Sequence, residues 1–183
     1  MNFWKRLWGH FKTVVTHKHN VFVHCCRAGI FWQGVVHDLS KFSPAEFIPG
    51  VKYFQGTRSP NEGEREEYGY SLAWMHHKGR NRHHYEYWTD YNPVTKDIGP
   101  VRMPVRYVVE MFCDRVAACK TYLKQNYNDG SALAYYNKKK GHRPIHPDTK
   151  ELLERLLVML GEKGEDETFA YIRSLDLKEK SGK

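Results

Sequence analysis

The sequence lacks the features of a membrane-spanning or disulfide-stabilised protein. No apolar run approaches the roughly 18 residues that a transmembrane helix needs. There are only four cysteines, with no Cys-x-x-Cys pair among them and no secretory signal before them: Cys25, Cys26, Cys113 and Cys119. We therefore expect reduced, buried thiols in a cytoplasmic protein without a membrane span.

Strand-like alternation of apolar and polar residues is also missing, as are internal repeats and low-complexity segments. Apolar residues recur instead at helical spacing through most of the 183 residues. Hydrophobic residues make up 40% and aromatic residues 14%, which suffices for a core and argues against disorder. These features predict a single all-α domain of about seven or eight helices over residues 1–177, followed by a loose tail at 178–183.

The predicted helices follow from apolar spacing and from capping residues. Gly29 is a candidate C-cap for the first helix, Ser43 with Glu46 forms a candidate capping box, and Asp148 is a candidate N-cap. Pro104 opens a long helix that is apolar nearly all round and is therefore predicted to be central. The predicted helices are 3–28, 30–39, 43 to 50 or 56, 64–77, 104–127, 131–140, 148–160 and 166–175, with an irregular segment at 90–103.

The first helix carries an apolar, largely aromatic stripe with basic residues mostly off it. Such a stripe is predicted to face the core, because any surface helix needs an apolar face. The alternative is a basic, tryptophan-bearing helix that lies on a membrane surface. The stripe consists of Phe3, Trp4, Leu7, Trp8, Phe11, Val14 and Val15.

Basic residues outnumber acidic residues in this chain. Lysine and arginine total 29 against 21 aspartates and glutamates, which gives a formal net charge of +8 in addition to 11 histidines. This balance favours an anionic partner, such as a phosphate ester, a nucleotide, nucleic acid or a membrane surface, and does not choose among them.

An adjacent histidine and aspartate, His37 and Asp38, close an apolar run, and Lys41 follows three residues later. Neighbouring imidazole and carboxylate groups can reach one cation, and these donors suit zinc, iron, manganese or nickel. The alternative is a helix C-terminus at which His37 and Lys41 interact with the helix dipole while Asp38 is solvated.

Histidines are concentrated in one further stretch. His76, His77, His83 and His84 lie within nine residues, at the predicted end of a helix and in the loop after it. We predict that at least one histidine of each pair binds metal, since histidine is the commonest metal ligand. A solvated basic loop that binds phosphates is the alternative.

Two further candidate ligands lie on predicted helices. His17 and His24 are about two turns apart on the first helix, so either can point at a common site. Asp114 lies in the middle of the long apolar helix, where a carboxylate must be paired or must bind a cation. If Asp114 is paired and binds no cation, its partner is Arg106 or Arg115. The sequence leaves open both this choice and the choice between His17 and His24.

The order of these residues resembles the HD-domain superfamily of metal-dependent phosphohydrolases. That family carries a histidine on one helix, a His-Asp pair ending another, further histidines in some branches, and a final aspartate on a long helix. The segment 35–41 looks like its His-Asp segment, 113–117 looks like its closing segment, and His17 matches the opening helix better than His24. The resemblance covers about residues 14–120, and 37–44 with 77–88 look like an uncharacterised bacterial and phage family within it.

This resemblance implies hydrolysis of a nucleotide or other small phosphate ester with one or two divalent ions of iron, manganese, zinc or nickel. Asp38 would bridge two ions, and Lys41 would act beside it in catalysis. Arg80 and Arg82 are candidates for holding phosphate oxygens. The implied metal ligands are His17, His37, Asp38, His77, His83, His84 and Asp114.

Two other classes of function remain open at this point. One is a basic module that binds nucleic acid or other anions, with Tyr85, Tyr87 and Trp88 as stacking faces. The other is a structural helical protein whose metal site is coordinatively closed and only stabilises the fold. Binding by the first class would survive chelation and weaken steeply with salt.

Overall fold

The computed structural model describes residues 1–138 and 143–179, which are mostly helical. Eight α-helices and one two-stranded antiparallel sheet occur within this part of the chain, in agreement with the predicted all-α fold. The elements are α1 (Phe3–Ala28), α2 (Phe31–Val36), α3 (Pro44–Lys52), α4 (Pro60–Tyr68), α5 (Leu72–Lys78), β1 (Thr89–Asn92), β2 (Asp97–Pro100), α6 (Val105–Leu123), α7 (Ser131–Asn137) and α8 (Pro147–Ser174). Short 3₁₀ turns lie at Leu39–Phe42, Tyr85–Tyr87 and Lys124–Asn126.

The hydrophobic core is built around α6, which packs against both α1 and α8. Val109, Phe112 and Val116 of α6 are completely buried, as is Val21 of α1. Phe112 meets Phe169 of α8 edge to face, with ring centroids 6.1 Å apart. The long helix is therefore central, as its all-round apolar sequence predicts.

The segment predicted to be irregular, residues 90–103, contains most of a β-hairpin. Thr89 pairs with Pro100 and Asn92 with Asp97, and Lys96 takes a left-handed φ of 59° in the turn. Every strand residue is exposed except Gly99, which is half-buried. Because neither strand buries one face, the sequence shows no alternation there, and the prediction of an irregular segment was wrong at this hairpin.

Two predicted helices differ from the structure. The helix predicted over 30–39 is α2 and ends at Val36, so His37 and Asp38 lie beyond it. The helix predicted over 64–77 is α4 and α5, divided at Gly69, whose φ is 79°, because apolar spacing detects the buried face of a helix but not a residue that interrupts it. The last two predicted helices are the two parts of α8, and Gly164, with a non-helical φ of 78°, interrupts the helix between them as predicted.

Three residues predicted as parts of caps do not make the predicted capping hydrogen bonds. Ser43 precedes α3 without a side-chain capping hydrogen bond, and the Glu46 carboxylate is turned toward α5. The N-cap of α8 is His146, whose Nδ1 accepts a hydrogen bond from the Asp148 backbone N–H at 3.3 Å. Gly29, in contrast, ends α1 with a φ of 80°, as predicted.

The first half of α1 exposes most of its aromatic stripe. Trp4 is 72% exposed and Trp8 is 68% exposed. The prediction that this stripe faces the core was wrong because the buried face of α1 instead carries His10, His17 and His24. Three histidines seven residues apart lower the apparent hydrophobicity of the face that is buried.

No helix in the described ranges is long and apolar enough to cross a membrane. The predicted tail at 178–183 lies mostly outside the described residues, and the Glu179 carboxylate within it pairs with Arg102. The segment 139–140, part of the last turn predicted for the 131–140 helix, also lies outside them. The domain limit at residue 177 stays a prediction.

Gly34 allows close packing of α2 on α1, which places the His-Asp pair. A β-carbon on Gly34 would lie 2.7 Å from the Cys25 β-carbon and 3.3 Å from the Phe22 α-carbon. We expect Gly34→Ala to lower the free energy of unfolding by about 1–3 kcal/mol, because the two helices must separate. Denaturant unfolding measures the change, and Gly99→Ala, which meets nothing within 4 Å, is the control. Equal stability of the two variants would contradict this packing.

Candidate metal centre

Histidines and carboxylates from several parts of the fold converge on Asp38. Asp38 itself is 1% exposed, and so are His37 and His83. Helices α1, α5 and α6 supply ligands from three directions, and the segments after α2 and α5 supply the others. The converging residues are His17, His37, Asp38, His77, His83, His84 and Asp114.

The backbone at Asp38 departs from helical geometry. Its φ of 54° is left-handed, which costs a non-glycine residue on the order of 1–2 kcal/mol. The 3₁₀ turn that follows brings the Lys41 Nζ to 2.6 Å from Asp38 Oδ2. Strain of this kind is concentrated at functional sites, where it fixes the direction of a side chain.

The two oxygens of Asp38 face two different groups of histidines. Oδ2 lies 3.2 Å from His37 Nε2 and 3.7 Å from His17 Nε2. Oδ1 lies 3.3 Å from His77 Nε2 and 3.5 Å from His83 Nε2. Asp38 is therefore the residue through which the two groups are joined.

These contacts define two donor sets, each with ligand atoms within 4.8 Å of one another. Set A consists of His17, His37, Asp38 and Asp114, and set B consists of Asp38, His77, His83 and His84. Within set A, Asp114 Oδ1 lies 3.0 Å from His17 Nε2. Each set offers the mixture of imidazole and carboxylate that divalent transition metals accept.

Most of the inward-facing atoms make no hydrogen bond of normal geometry within the protein. They are Nε2 of His17, His37, His83 and His84 and both carboxylate oxygens of Asp38. Some of them have close ion-pair contacts instead, since Lys41 Nζ lies 2.6 Å from Asp38 Oδ2 and Asp114 Oδ1 lies 3.0 Å from His17 Nε2. A buried polar atom without a good hydrogen bond costs about 1–3 kcal/mol, and one bound cation per set would satisfy these atoms together. The residues present therefore fit a metal site.

Two glutamates orient the histidines from behind. Glu110 Oε1 accepts hydrogen bonds from His37 Nδ1 at 2.9 Å and from His83 Nδ1 at 3.1 Å. Glu46 Oε2 accepts one from His77 Nδ1 at 2.7 Å. With a proton on each Nδ1, the Nε2 lone pairs point at Asp38, which is the tautomer a metal ligand needs. The sequence predicts Glu46 in a helix cap and Glu110 in an anionic cluster with Asp114, one turn away, and predicts neither as a partner of the histidines.

The structure also separates the paired histidine candidates. His24 lies away from the site, where its Nε2 is 3.1 Å from Lys120 Nζ, so His17 is the α1 residue that reaches Asp38. His76 contacts Glu46 with Nδ1 at 2.7 Å and belongs to neither set, whereas its neighbour His77 belongs to set B.

The predicted phosphate ligands Arg80 and Arg82 do not reach the site. Both are exposed, Arg80 reaches only the His76 carbonyl at 3.5 Å, and Arg82 contacts the Tyr107 hydroxyl at 3.3 Å. Both follow α5 in the chain, and neither lines the cavity at the site. Their position between His77 and His83 in the sequence therefore did not reveal that their side chains point away from the site.

A cavity of about 1160 Å³ opens onto the site. His17, Lys41 and Asp114 line it, together with His77 and His84 from set B. Both donor sets therefore face a space large enough for a small molecule. The arginines in its walls are Arg58, Arg65, Arg115 and Arg143.

Without a metal, protons must balance the buried charge. Burial raises the pKa of Asp38, but the His37 and Lys41 charges outweigh burial and hold it well below the usual range. Burial likewise raises the pKa of Asp114, and hydrogen bonds from His17 and His37 lower it overall. Burial lowers the pKa of His37, yet the charge of Asp38 and hydrogen bonds to carboxylates raise it well above its ordinary value.

Metal-free and metal-loaded protein are therefore expected to respond to pH in opposite directions. In the metal-free protein, the stability contributed by His37 is present below its unfolded pKa of 6.5 and is lost as pH rises through its higher folded pKa. In the loaded protein, histidine ligands must be deprotonated, so stability falls as pH falls. Thermal unfolding between about pH 6 and pH 9, with and without chelator, measures both trends. Parallel trends would contradict the assignment of His37 as a ligand.

Glu110→Gln is expected to weaken metal binding by about 10- to 100-fold, because one substitution disturbs the orientation of His37 and His83 together. Glutamine offers one acceptor oxygen in place of a carboxylate and no charge. Metal titration of the refolded or chelator-treated protein measures the affinity. Glu151→Gln, an exposed position on α8, is the control, and equal affinities would contradict the orienting role.

Comparison with known proteins assigns the chain to a family. The model of DUF5662, described as a family of unknown function, matches residues 6–159, and the chain belongs to that family. No curated protein and no solved structure matches the chain. The matched region, residues 6–159, includes every member of both donor sets.

Proposed function

We propose that this member of the DUF5662 family is a metal-dependent phosphohydrolase that acts on a nucleotide or another small phosphate ester. The observation that carries the proposal is Asp38, whose two oxygens serve two donor sets at one side of an open cavity. Two adjacent donor sets joined by a carboxylate suit a pair of metal ions that stabilise the attacking and the leaving oxygens when a phosphoryl group is displaced. The order of the ligand residues along the chain, which resembles that of HD-domain phosphohydrolases, also supports the proposal.

The donor chemistry supports iron, manganese, zinc or nickel as the bound ion. Set B contains three histidines and one carboxylate, and set A contains two of each. Imidazole nitrogen favours these metals over magnesium and calcium, which prefer oxygen ligands. Bound divalent ions would neutralise charge on the phosphoryl group and lower the pKa of an attacking water.

The openness of the site favours catalysis over a purely structural metal. A structural site closes its coordination with protein ligands, whereas a catalytic site keeps a position accessible to water or substrate. Four ligands line the cavity directly: His17, His77, His84 and Asp114. A substrate in this cavity therefore reaches the ligands without a rearrangement of the helices.

Lys41 places a positive charge where the cavity meets Asp38. Burial alone would lower the pKa of Lys41, but the charges of Asp38 and Asp114 raise it, so the ammonium group stays protonated at neutral pH. Its Nζ can donate to a phosphoryl oxygen from the cavity wall. In the net reaction, a water oxygen bonds to phosphorus, the ester P–O bond breaks, and the alcohol leaves with a proton.

The competing interpretation is a basic binding module with a structural metal. Trp88, one of its proposed stacking residues, instead packs against Tyr107 with ring centroids 5.6 Å apart, and its indole N–H donates to the Arg82 carbonyl at 2.7 Å. This surface is therefore less available for a base than the sequence suggests.

The test is metal analysis of protein purified without a histidine tag, followed by a screen of nucleotides, phosphomonoesters and phosphodiesters. We expect one or two divalent ions per chain and a hydrolysis rate that is lost on chelation and restored by metal. Equal activity before and after chelation would contradict the proposal. A metal-loaded protein that hydrolyses nothing in the screen would favour the binding module.

A further inference from the structure

Two arginines form a second group of positive charges in the cavity, apart from the metal ligands. Arg115 follows Asp114 on α6, and Arg143 lies between α7 and α8, so distant parts of the chain bring them together. Both line the cavity that opens onto the metal centre, and both are half-buried.

Both guanidinium groups lie near the ring of Tyr136. The central carbon of Arg143 is 4.7 Å from the ring centroid, and that of Arg115 is 5.7 Å from it. Tyr136 is 2% exposed, and its hydroxyl donates to Glu154 Oε1 at 3.1 Å, which fixes the ring. A rigid aromatic residue thus holds two like charges close together.

These charges are not neutralised within the described part of the chain. No carboxylate oxygen there lies within 4 Å of either guanidinium, whereas Arg27, Arg58 and Arg155 all have such partners. The Arg115 Nη2 contacts only the Met111 sulfur, at 3.8 Å. Arg115 Nε and Arg143 Nη1 are buried without a hydrogen-bond partner.

Asp114 and Glu86 are the carboxylates whose charges act on Arg115, with Asp114 the stronger of the two. Asp114 belongs to set A, where a bound cation would offset its charge. Glu86 also lines the cavity, its Oε2 is buried without a hydrogen-bond partner, and with Arg115 and Arg143 it leaves one net positive charge. Buried, unpaired donors around a net positive charge favour an anionic ligand, because an uncompensated buried charge is costly.

We propose that Arg115 and Arg143 bind a second phosphoryl group of the substrate, separate from the one that is hydrolysed. Guanidinium groups match phosphate geometry with paired hydrogen bonds. The cavity of about 1160 Å³ is much larger than one phosphate requires. This proposal rests on the proposed function and narrows the substrate class to small molecules with two phosphoryl groups.

Binding of inorganic phosphate to the metal-loaded protein tests the subsite without any turnover. Calorimetry is expected to detect a phosphate at the arginines in addition to any at the metals. Arg115→Gln and Arg143→Gln, on different elements, should each weaken the arginine site by about tenfold or more while metal content stays unchanged. Arg80→Gln, an exposed arginine outside the cavity, is the control. Unchanged phosphate binding in both cavity variants would overturn the proposal.

A pair of substrates tests the class directly. For a nucleoside carrying two separate phosphates, Arg115→Gln should raise KM by about tenfold or more, whereas for the matching monophosphate KM should stay within about twofold. Equal changes for both substrates would overturn the proposal. An inert protein that still loses a phosphate site on Arg115→Gln would contradict the proposed hydrolysis while retaining the anion subsite.

Discussion

Asp38→Ala is expected to abolish metal binding at both donor sets, the largest loss among single substitutions. Asp38 is the one residue common to the two sets, so its removal leaves each set with three ligands and a missing carboxylate charge. We expect affinity to fall by at least about 100-fold, since even the loss of an orienting partner costs 10- to 100-fold. Asp38→Asn removes the carboxylate charge but keeps a residue that tolerates a left-handed φ. A loss of metal in this variant is therefore due to the missing charge and not to a change in the backbone.

Substitutions within one set should remove only one ion from a protein that binds two. His17→Ala and His37→Ala affect set A, whereas His84→Ala affects set B. His19→Ala is the matched control, because His19 is exposed on α1 two residues after His17. Metal content per chain by elemental mass spectrometry, with circular dichroism to verify folding, gives the result. Full metal content in both Asp38 variants would show that Asp38 is not a ligand.

Lys41→Ala is expected to keep the metal and to lose activity by on the order of a hundredfold. The Lys41 ammonium lies 2.6 Å from Asp38 Oδ2 and faces the cavity, but lysine retains its proton and does not complete a coordination set. A contact to charge that develops on the phosphoryl group accelerates the reaction without a matching gain in substrate binding. The expected loss is therefore in kcat more than in KM.

Metal content and kinetics must be measured on the same preparation of the Lys41 variant. Lys12→Ala, an exposed lysine on α1, controls for the change in net charge. A variant that loses metal together with activity would show that Lys41 positions the Asp38 carboxylate for metal binding and does not act on the substrate. A variant with full metal content and unchanged kcat would remove Lys41 from the mechanism.

The sequence by itself determined the helical class and most of the chemistry of the site. Helical spacing of apolar residues, Gly29 after α1 and Pro104 before α6 are local signals, and local physics alone sets their outcome. The adjacent His37 and Asp38 and the carboxylate of Asp114 also stand out, since such residues in apolar surroundings need a partner. The phosphohydrolase activity inferred from them stays a prediction.

Only the tertiary structure decided which candidates meet. His17 and His24 lie two turns apart on one face, and packing against α8 takes His24 to Glu165 while His17 reaches Asp38. The choice of His77 over His76 depends on the rotation of α5 about its axis, and in that rotation Glu46 of α3 contacts the Nδ1 atoms of both histidines. No local pattern encodes these rotations, because they result from contacts between residues far apart in sequence.

The same reason explains the roles that the sequence concealed. Glu110 serves as an orienting acceptor only because His37 and His83 arrive from other parts of the chain. The sequence suggests Arg115 only as a partner for Asp114 and gives Arg143 no role, and their convergence on Tyr136 requires α6 and α7 to pack together. Residue type determines what a side chain can bind, whereas long-range packing determines whether its partners are within reach.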